Sequence, residues 1–351
     1  LINRCWYGHG PGCLLLRGLL IPFSVLFRLL VALRYAAYRH GLLPSARLPV
    51  PVIVVGNLAA GGAGKTPLTL ALAASLQSAG YRPGIISRGY GGTARQAMPV
   101  LSDSDPGQVG DEPVLMARRC GCPVWIGRKR AEAGRQLLAF HPEVDVLLAD
   151  DGLQHYALAR DVEIAVVDGQ RGLGNAWLLP AGPLREPVSR LKRVAAVVCH
   201  GERCAGLGPE PAVYRMRLAG ERFCNLLDSS RTVLAQELMQ MPAQGSTDAQ
   251  VHAIAGIGHP QRFFDHLAAL GLSFTAHAFA DHHRFRSSDL PAGPVVMTEK
   301  DAVKIISLVR AQARQDCWFL AVDAKLEAGL KEHILSRLRN DHAKDHGPKT
   351  A

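Results

Sequence analysis

Gly61-Gly62-Ala63-Gly64-Lys65-Thr66 is a run of nearly bare backbone that ends in an ammonium and a hydroxyl. Such a run suits a phosphate chain. Inward-turned N–H groups hold the oxygens, the lysine reaches the terminal phosphates, and the hydroxyl offers a ligand to Mg²⁺. Pro67 follows in the first turn of a helix, where its missing N–H costs nothing. The strict spacing asks for glycine six residues before Lys65, and Ala59 stands there. A plain glycine-rich turn is the other reading of the run.

A second chemistry needs carboxylates. Asp150-Asp151 closes the apolar run VDVLLA, and two adjacent acids at the end of a buried strand repel each other unless a cation balances them. A solvated turn or a helix cap is the bland alternative. Gln154 and His155 follow on the next turn, and Asp168 ends another apolar run. Asp111, in Val-Gly-Asp-Glu-Pro, has the position of a helix N-cap. Asp281-His282-His283 groups an acid with two bases; it suits a general-base helper better than a metal site, which would need a third ligand. Thr298-Glu299-Lys300-Asp301 resembles a guanine-reading Asn-Lys-x-Asp motif only loosely, because its lysine comes one place late. This argues against GTP specificity.

These residues need a scaffold. Pro51–Leu58 is a continuous apolar run and predicts a buried parallel strand, followed by the glycine-rich loop and a helix from Thr66 to about Ala79. Strands are expected at Arg82–Ser87, Val124–Ile126, Val144–Ala149, Ile164–Val167 and Ala195–Cys199, with helices at Asp111–Arg119 and Arg128–Phe140. Residues 93–110 read as a mobile loop. Strands alternating with helices indicate a wound, mostly parallel sheet. Val213–Leu218 alternates like a strand, with Gly220–Asp228 as its expected partner in a two-stranded ribbon. A second α/β unit starts at Val251, and its last helix is expected over about 325–339. The division that results is 1–48 at the N-terminus, 49–212 for a P-loop domain, 213–250 for a connector, 251–339 for a smaller α/β domain and 340–351 for a disordered tail.

The chain has 351 residues, of which 48% are hydrophobic, so it can bury a core, and its net charge is +10. All of that excess lies in residues 1–102, which hold ten Lys/Arg and no Asp or Glu. Residues 12–38 are strongly apolar but are cut by Arg17, Arg28 and Arg34; the longest uncharged run, Gly18–Phe27, is ten residues, short of the roughly 20 that a spanning helix needs. An amphipathic helix or helix pair bent at Pro22 and lying in a membrane interface fits this pattern, and the alternative is a helix buried against the domain. Residues 103–351 are neutral and poor in aromatics, which excludes a nucleic-acid-binding face. The eight cysteines contain no CxxC pair, so reduced thiols are expected, and Cys120-Gly-Cys122 lacks partners for zinc.

Together the segments VPVIVVGNLAAGGAGKTP, SRGYGG, VGDEPVLMAR, DDGLQHYALARDVEIAVVDG, GNAWLLPAGPLREP, HAIAGIG, FADHHRF and MTEKDAVK resemble the tetraacyldisaccharide 4′-kinase family. The resemblance runs from Trp6-Tyr7-Gly8 to about Asp323, and DDGLQH followed by LLPAGPLREP is its most specific part. It implies two α/β/α domains with the site in the cleft between them. It also implies ATP- and Mg²⁺-dependent phosphorylation of the 4′-hydroxyl of a tetraacylated glucosamine disaccharide 1-phosphate, on the cytoplasmic face of a Gram-negative inner membrane.

By the same resemblance, residues Gly61 to Pro67 bind the nucleotide and Lys65 stabilises the transferring phosphoryl group. Thr66, Asp150, Gln154 and Glu186 hold Mg²⁺. Asp111 accepts the hydroxyl proton with His282 or His283 beside it, Asp151 and His155 support the site, and Arg88, Tyr90 and Arg185 contact substrate or phosphate. The rival reading is a membrane-associated P-loop switch or partitioning ATPase. It shares the glycine-rich loop and the basic helix but needs neither Asp281–His283 nor the LLPAGPLREP segment.

Overall fold

The computed structural model describes residues 2–8, 10–201, 204, 211–240 and 250–345. The chain opens with α1 (Ile2–Tyr7) and α2 (Pro11–Arg39). It continues through β1 (Val52–Gly56), α3 (Lys65–Ser78), β2 (Pro83–Ser87), β3 (Met98–Val100), α4 (Pro106–Val109) and α5 (Asp111–Arg119). Next come β4 (Val124–Ile126), α6 (Arg130–Phe140), β5 (Val146–Asp150), β6 (Val162–Asp168), β7 (Ala196–His200) and β8 (Ala212–Ala219). It then crosses into β9 (Phe223–Asn225), β10 (Thr232–Val233), α7 (Ala235–Met239), β11 (Val251–Ala255), α8 (Pro260–Ala269), β12 (Phe274–Ala278), β13 (Val295–Thr298), α9 (Glu299–Ala311) and β14 (Cys317–Leu320). Finally β15 (Asp323–Leu326) and α10 (Leu330–Asp345) return to the first unit.

Two sheets result. The first has nine strands in the order β15-β8-β7-β6-β1-β5-β2-β4-β3, and only its outermost strands, β15 and β3, run antiparallel. The second has six in the order β10-β9-β14-β13-β11-β12, with β11 to β14 parallel. Strands β1, β5 and β7 are buried at every position, which explains their unbroken apolar runs. β1 and β5 are neighbours with Val55 opposite Asp150, so the glycine-rich loop and the acid pair emerge together at the carboxyl edge. That edge is where open α/β sheets bind their ligands.

Several expectations are corrected. β8 and β9 are not partners: β8 joins the first sheet between β7 and β15, and β9 joins the second beside β14. The two-stranded element at the crossing is therefore β8 with β15, built from segments more than 100 residues apart, a pairing that local alternation cannot disclose. The expected last helix over 325–339 begins with strand β15 instead, and α10 runs to Asp345, so 340–345 is helical. Residues 241–249 of the expected connector and 346–351 of the expected tail lie outside the described residues. The segment 93–110 contains β3 and α4, and Asp105 caps α4 by accepting from the Gly107 N–H. Cys199 is disulfide-bonded to Cys204, contrary to the expectation of reduced thiols.

α2 passes through Pro22 as one 29-residue helix, about 43 Å long. By length and composition it is apolar enough to cross a membrane. One stripe docks on the protein: Ser24 is buried with its hydroxyl donating to Leu178 O at 2.6 Å, Phe27 packs on the core cluster that contains Leu178, and Tyr35 meets Tyr156 edge-on. The other side leaves Leu15, Leu19, Phe23, Leu26, Leu29, Leu30 and Leu33 exposed. Arg17 folds back to donate to Cys5 O and Gly8 O.

The return of the chain to the first unit has an energetic consequence. Leu330 is fully buried in the core under the first sheet together with Ile334 and Leu338. Leu330→Ala should cost about 2–5 kcal/mol, read as a lower urea midpoint at unchanged slope. A change below about 0.5 kcal/mol would mean that α10 is not part of that core.

Candidate active site

The loop between β1 and α3 presents Lys65 and Thr66 in the first turn of a helix with no acid in that turn. Gly64 caps the helix at φ +92°, and a Cβ there would lie 2.7 Å from His200 Nδ1, so both conformation and space demand glycine. Asn57 ties the loop by donating to Gly61 O at 3.1 Å, and Ala59 pairs with Leu184 in an isolated bridge. Lys65 Nζ lies 3.5 Å from Asp151 Oδ1 and 3.5 Å from Asn57 Oδ1.

Asp150 is wholly buried at the end of β5. Burial, together with Glu112 and Asp151, pushes its carboxyl up to about 7. Thr69 donates to its Oδ1 at 3.1 Å, but its Oδ2 has no hydrogen-bond partner among the described residues. An orphaned carboxylate oxygen beside a phosphate loop is the donor that Mg²⁺ takes, since Mg²⁺ prefers one or two carboxylates plus phosphate oxygens. Asp150 and the buried Thr66 therefore fit this ion. Burial also pushes Asp151 up, but Lys65 and Arg185 outweigh it and hold the group below the usual carboxylate range. Arg185 Nη1 sits 3.6 Å from Asp151 Oδ2.

Gln154 and Glu186 are committed to each other. Gln154 Nε2 donates to Glu186 Oε1 at 2.8 Å and to Asn57 O at 3.0 Å, while Glu186 Oε2 accepts from Tyr156 Oη at 2.5 Å and from Arg190 Nε at 3.1 Å. Both Glu186 oxygens are thus hydrogen-bonded, and Gln154 links the pair to Asn57 just after β1. His155 Nε2 accepts from the Arg130 N–H at 3.4 Å; burial and the nearby arginines push its pKa down to about 4, so it stays neutral.

Across the cleft stands the acid–base pair. Asp111 begins α5 after Gly110, whose φ of +94° turns the chain so that the carboxylate faces inward. His282, on the loop after β12, places Nδ1 3.2 Å from Asp111 Oδ2. Tyr90 packs its ring on the His282 ring at 4.9 Å. His283 points elsewhere: its Nε2 meets Asp289 Oδ2 at 3.0 Å and its ring stacks on Phe279. Arg88 is one of the cations that depress His155.

Sequence reasoning missed four residues here. Lys300 reaches Glu112 at 2.9 Å, Asp281 at 3.3 Å and Asp111 at 3.8 Å. Burial works against its ammonium, yet these three carboxylates overcome it and hold its pKa above the ordinary lysine value. Asp301 is fully buried, accepts from the Gly256 N–H at 3.0 Å and so anchors the loop that lies on the P-loop; a Cβ on Gly258 would be 3.2 Å from Gly62 N. Both residues sit in the Thr298–Asp301 motif, which did signal something, though not base reading. Arg130, 2% exposed, donates to the carbonyls of Asp150 and Asp151. Arg262 crosses from α8 to Asp168 Oδ1 at 2.7 Å. Nothing local in the sequence marks either arginine.

The family described as tetraacyldisaccharide-1-P 4′-kinase matches residues 16–339. The chain belongs to this family. Relatives named tetraacyldisaccharide 4′-kinase include one from Azoarcus sp. strain BH72, 50% identical over 95% of this chain and 94% of its own. Another, from Chromobacterium violaceum, is 48% identical over 98% and 99%. A crystal structure titled as LpxK from Aquifex aeolicus in complex with ATP shares the fold at a TM-score of 0.76 and 29% identity, covering 92% of this chain and 99% of that one. The family match contains every residue of the site just described.

The Asp111–His282 contact sets a pH dependence. The hydrogen bond to Asp111 raises the His282 pKa above 6.5 against the opposing effect of burial. Burial pushes Asp111 up, but His282 and Lys300 outweigh it and keep the carboxyl below 3.8. Asp111 is therefore ionised near neutrality, and a protonated His282 makes it a weaker base. Turnover should rise with pH through a midpoint above 6.5, and His282→Ala should lack that limb. An unchanged limb in the variant would assign it to another group.

Proposed function

We infer that this chain moves the γ-phosphoryl group of ATP to the 4′-hydroxyl of a tetraacylated glucosamine disaccharide 1-phosphate. The observation that carries the mechanism is the Asp111–His282 pair, 3.2 Å apart and contributed by the two sheets. A base assembled only when the second unit closes on the first ties proton removal to substrate capture, which suppresses wasteful ATP hydrolysis.

Each side chain then has a defined task. Backbone N–H groups of residues 61–66 hold the phosphates, and Lys65 leaves Asp151 to follow the charge of the γ-phosphoryl group. Thr66 and Asp150 would hold Mg²⁺, which would supply positive charge to offset that of the transferring phosphates. Asp111 accepts the proton of the attacking hydroxyl, and His282 orients that carboxylate. Lys300 keeps the cluster of acids from repelling the anionic donor. Arg88, Tyr90 and Arg185 line the approach of the acceptor. The exposed leucines of α2, with the basic N-terminal third of the chain, hold the protein on an anionic membrane surface where the acyl chains stay in the leaflet. Because α2 docks its other side on the core, it lies along the membrane interface rather than across the bilayer. The cytoplasmic face of the inner membrane, where ATP is available, is the compartment this chemistry requires.

Labelled γ-phosphate should pass from ATP to the lipid acceptor in detergent micelles. Lys65→Ala and Asp111→Ala should each lower the rate by about 10²–10⁴-fold. ATP hydrolysis without a labelled lipid would favour a P-loop switch ATPase, and undiminished turnover in Asp111→Ala would remove the base assignment.

A further inference from the structure

A cavity of about 320 Å³ lies outside the transfer site, between the last turns of α2, the segment after β5 and the 3₁₀ turn Val188–Arg193. Its walls are almost entirely hydrogen-bond donors. Tyr35, Tyr38 and Arg39 come from α2, Tyr156 from the opposite wall and Arg193 from the 3₁₀ turn. Glu163 is the one carboxylate in the lining, and it is already taken: its Oε1 accepts from Arg160 at 3.1 Å and from Arg190 at 2.5 Å. Arg190 also pairs with Glu186. Two arginines are thereby balanced by two glutamates. Arg39 and Arg193 have no carboxylate partner among the described residues; Arg193 instead stacks over Tyr35 at 4.8 Å. The negative end of α2 lies close by and is offset by Arg39 in its last turn.

Such a cavity suits an acceptor-only anion. Guanidinium forks match phosphate oxygens two at a time, and phenol hydroxyls add further donors. Its place along α2 says what carries the anion. Within α2 the last exposed leucine is Leu33, with Arg34, Tyr35, Tyr38 and Arg39 directly after it and exposed Leu42 beyond them, so the arginines and tyrosines lie between apolar contacts. On a helix lying in a membrane interface, arginines and tyrosines that flank the apolar face reach headgroup depth. The cavity also touches the transfer site through Tyr156, whose hydroxyl donates to Glu186, which in turn accepts from Gln154.

We propose that this cavity binds a phosphate group presented by a lipid headgroup, with Arg39 and Arg193 as its principal contacts. The membrane placement rests on the kinase reading above. Two lipids carry that chemistry: the acceptor itself, through the phosphate at its far end, and an anionic phospholipid of the same leaflet.

The test uses the full chain with Arg39→Gln, Arg193→Gln and the pair. Both side chains are exposed, so the melting temperature should hold and folding is not in question. KM for the acceptor should rise roughly tenfold in the pair with kcat within about twofold, the mark of lost ground-state binding. If that penalty vanishes on an acceptor lacking the 1-phosphate, the site takes the acceptor's own phosphate. If the penalty persists there, and the pair also sediments less with phosphatidylglycerol-containing vesicles than wild type while matching it on neutral ones, the site takes a phospholipid. Wild-type values within about twofold in every arm would overturn the proposal. Should wild type label no lipid at all, the kinase reading fails, and the vesicle arm still decides the phosphate site.

Discussion

Three carboxylates converge on one ammonium in the cleft, and the relation of the two sheets depends on it. Asp111 and Glu112 come from the first sheet's α5, Asp281 from the second unit, and Lys300 lies among them within 3.8 Å of each. Remove the cation and the two units present like charges to each other in a partly dry cleft, where repulsion is least screened. With it, Asp111 stays ionised and His282 closes on it. The same cleft is stapled at its other end by Arg262 on Asp168 and at its flank by Arg119, which pairs with both Glu299 and Asp323. The Asp111–His282 contact is therefore a property of the two units together and not of either sheet alone.

The nucleotide half obeys a different constraint, the burial of charge. Asp150 has one hydrogen-bond donor and one bare oxygen, and burial, with Glu112 and Asp151 nearby, pushes its carboxyl up to about 7. Arg130 donates to the main chain of the acid pair rather than to its carboxylates, so it fixes their position without neutralising Asp150 outright. The strand end is left with an unmet demand for positive charge. The adjacent loop brings the ammonium of Lys65 and the hydroxyl of Thr66 to the same edge of the sheet.

The N-terminal helix obeys a third constraint, an apolar face that the core covers on one side only. Its docked stripe, from Ser24 through Tyr38, fixes the helix to the core, while its leucines face outward. Had the helix been buried on all sides those leucines would be core, and had it been free the tyrosines would have no partners. The arrangement also places arginines and tyrosines around a cavity one residue away from the Gln154–Glu186 pair.

Much of the protein was legible in one dimension because its physics is local. A glycine run between an apolar strand and a helix with Lys-Thr-Pro in its first turn has the local context of a phosphate loop, and an acid pair ending a buried strand carries its own electrostatic argument. Asp111 and the Asp281–His283 cluster were found as candidates by residue type, and the motif resemblance named the family. The choice between His282 and His283 was not local: adjacent side chains diverge, and only the packing of β12's loop sends one to Asp111 and the other to Asp289. Glu186 read as a metal ligand from the motif resemblance; folding adds Tyr156 and Arg190 as partners of its carboxylate, which no local pattern discloses. Lys300, Arg130 and Arg262 were invisible because a buried cation is defined by the carboxylates and carbonyls around it, which lie up to 188 residues away. The pairing of β8 with β15, and the return of α10 to the first core, were likewise beyond a local pattern. The sequence by itself determined the central strands and helices and the kind of chemistry, since those follow from neighbours along the chain; only the tertiary structure decided the edge strands and which groups meet, since charge pairing and strand pairing are settled by neighbours in space.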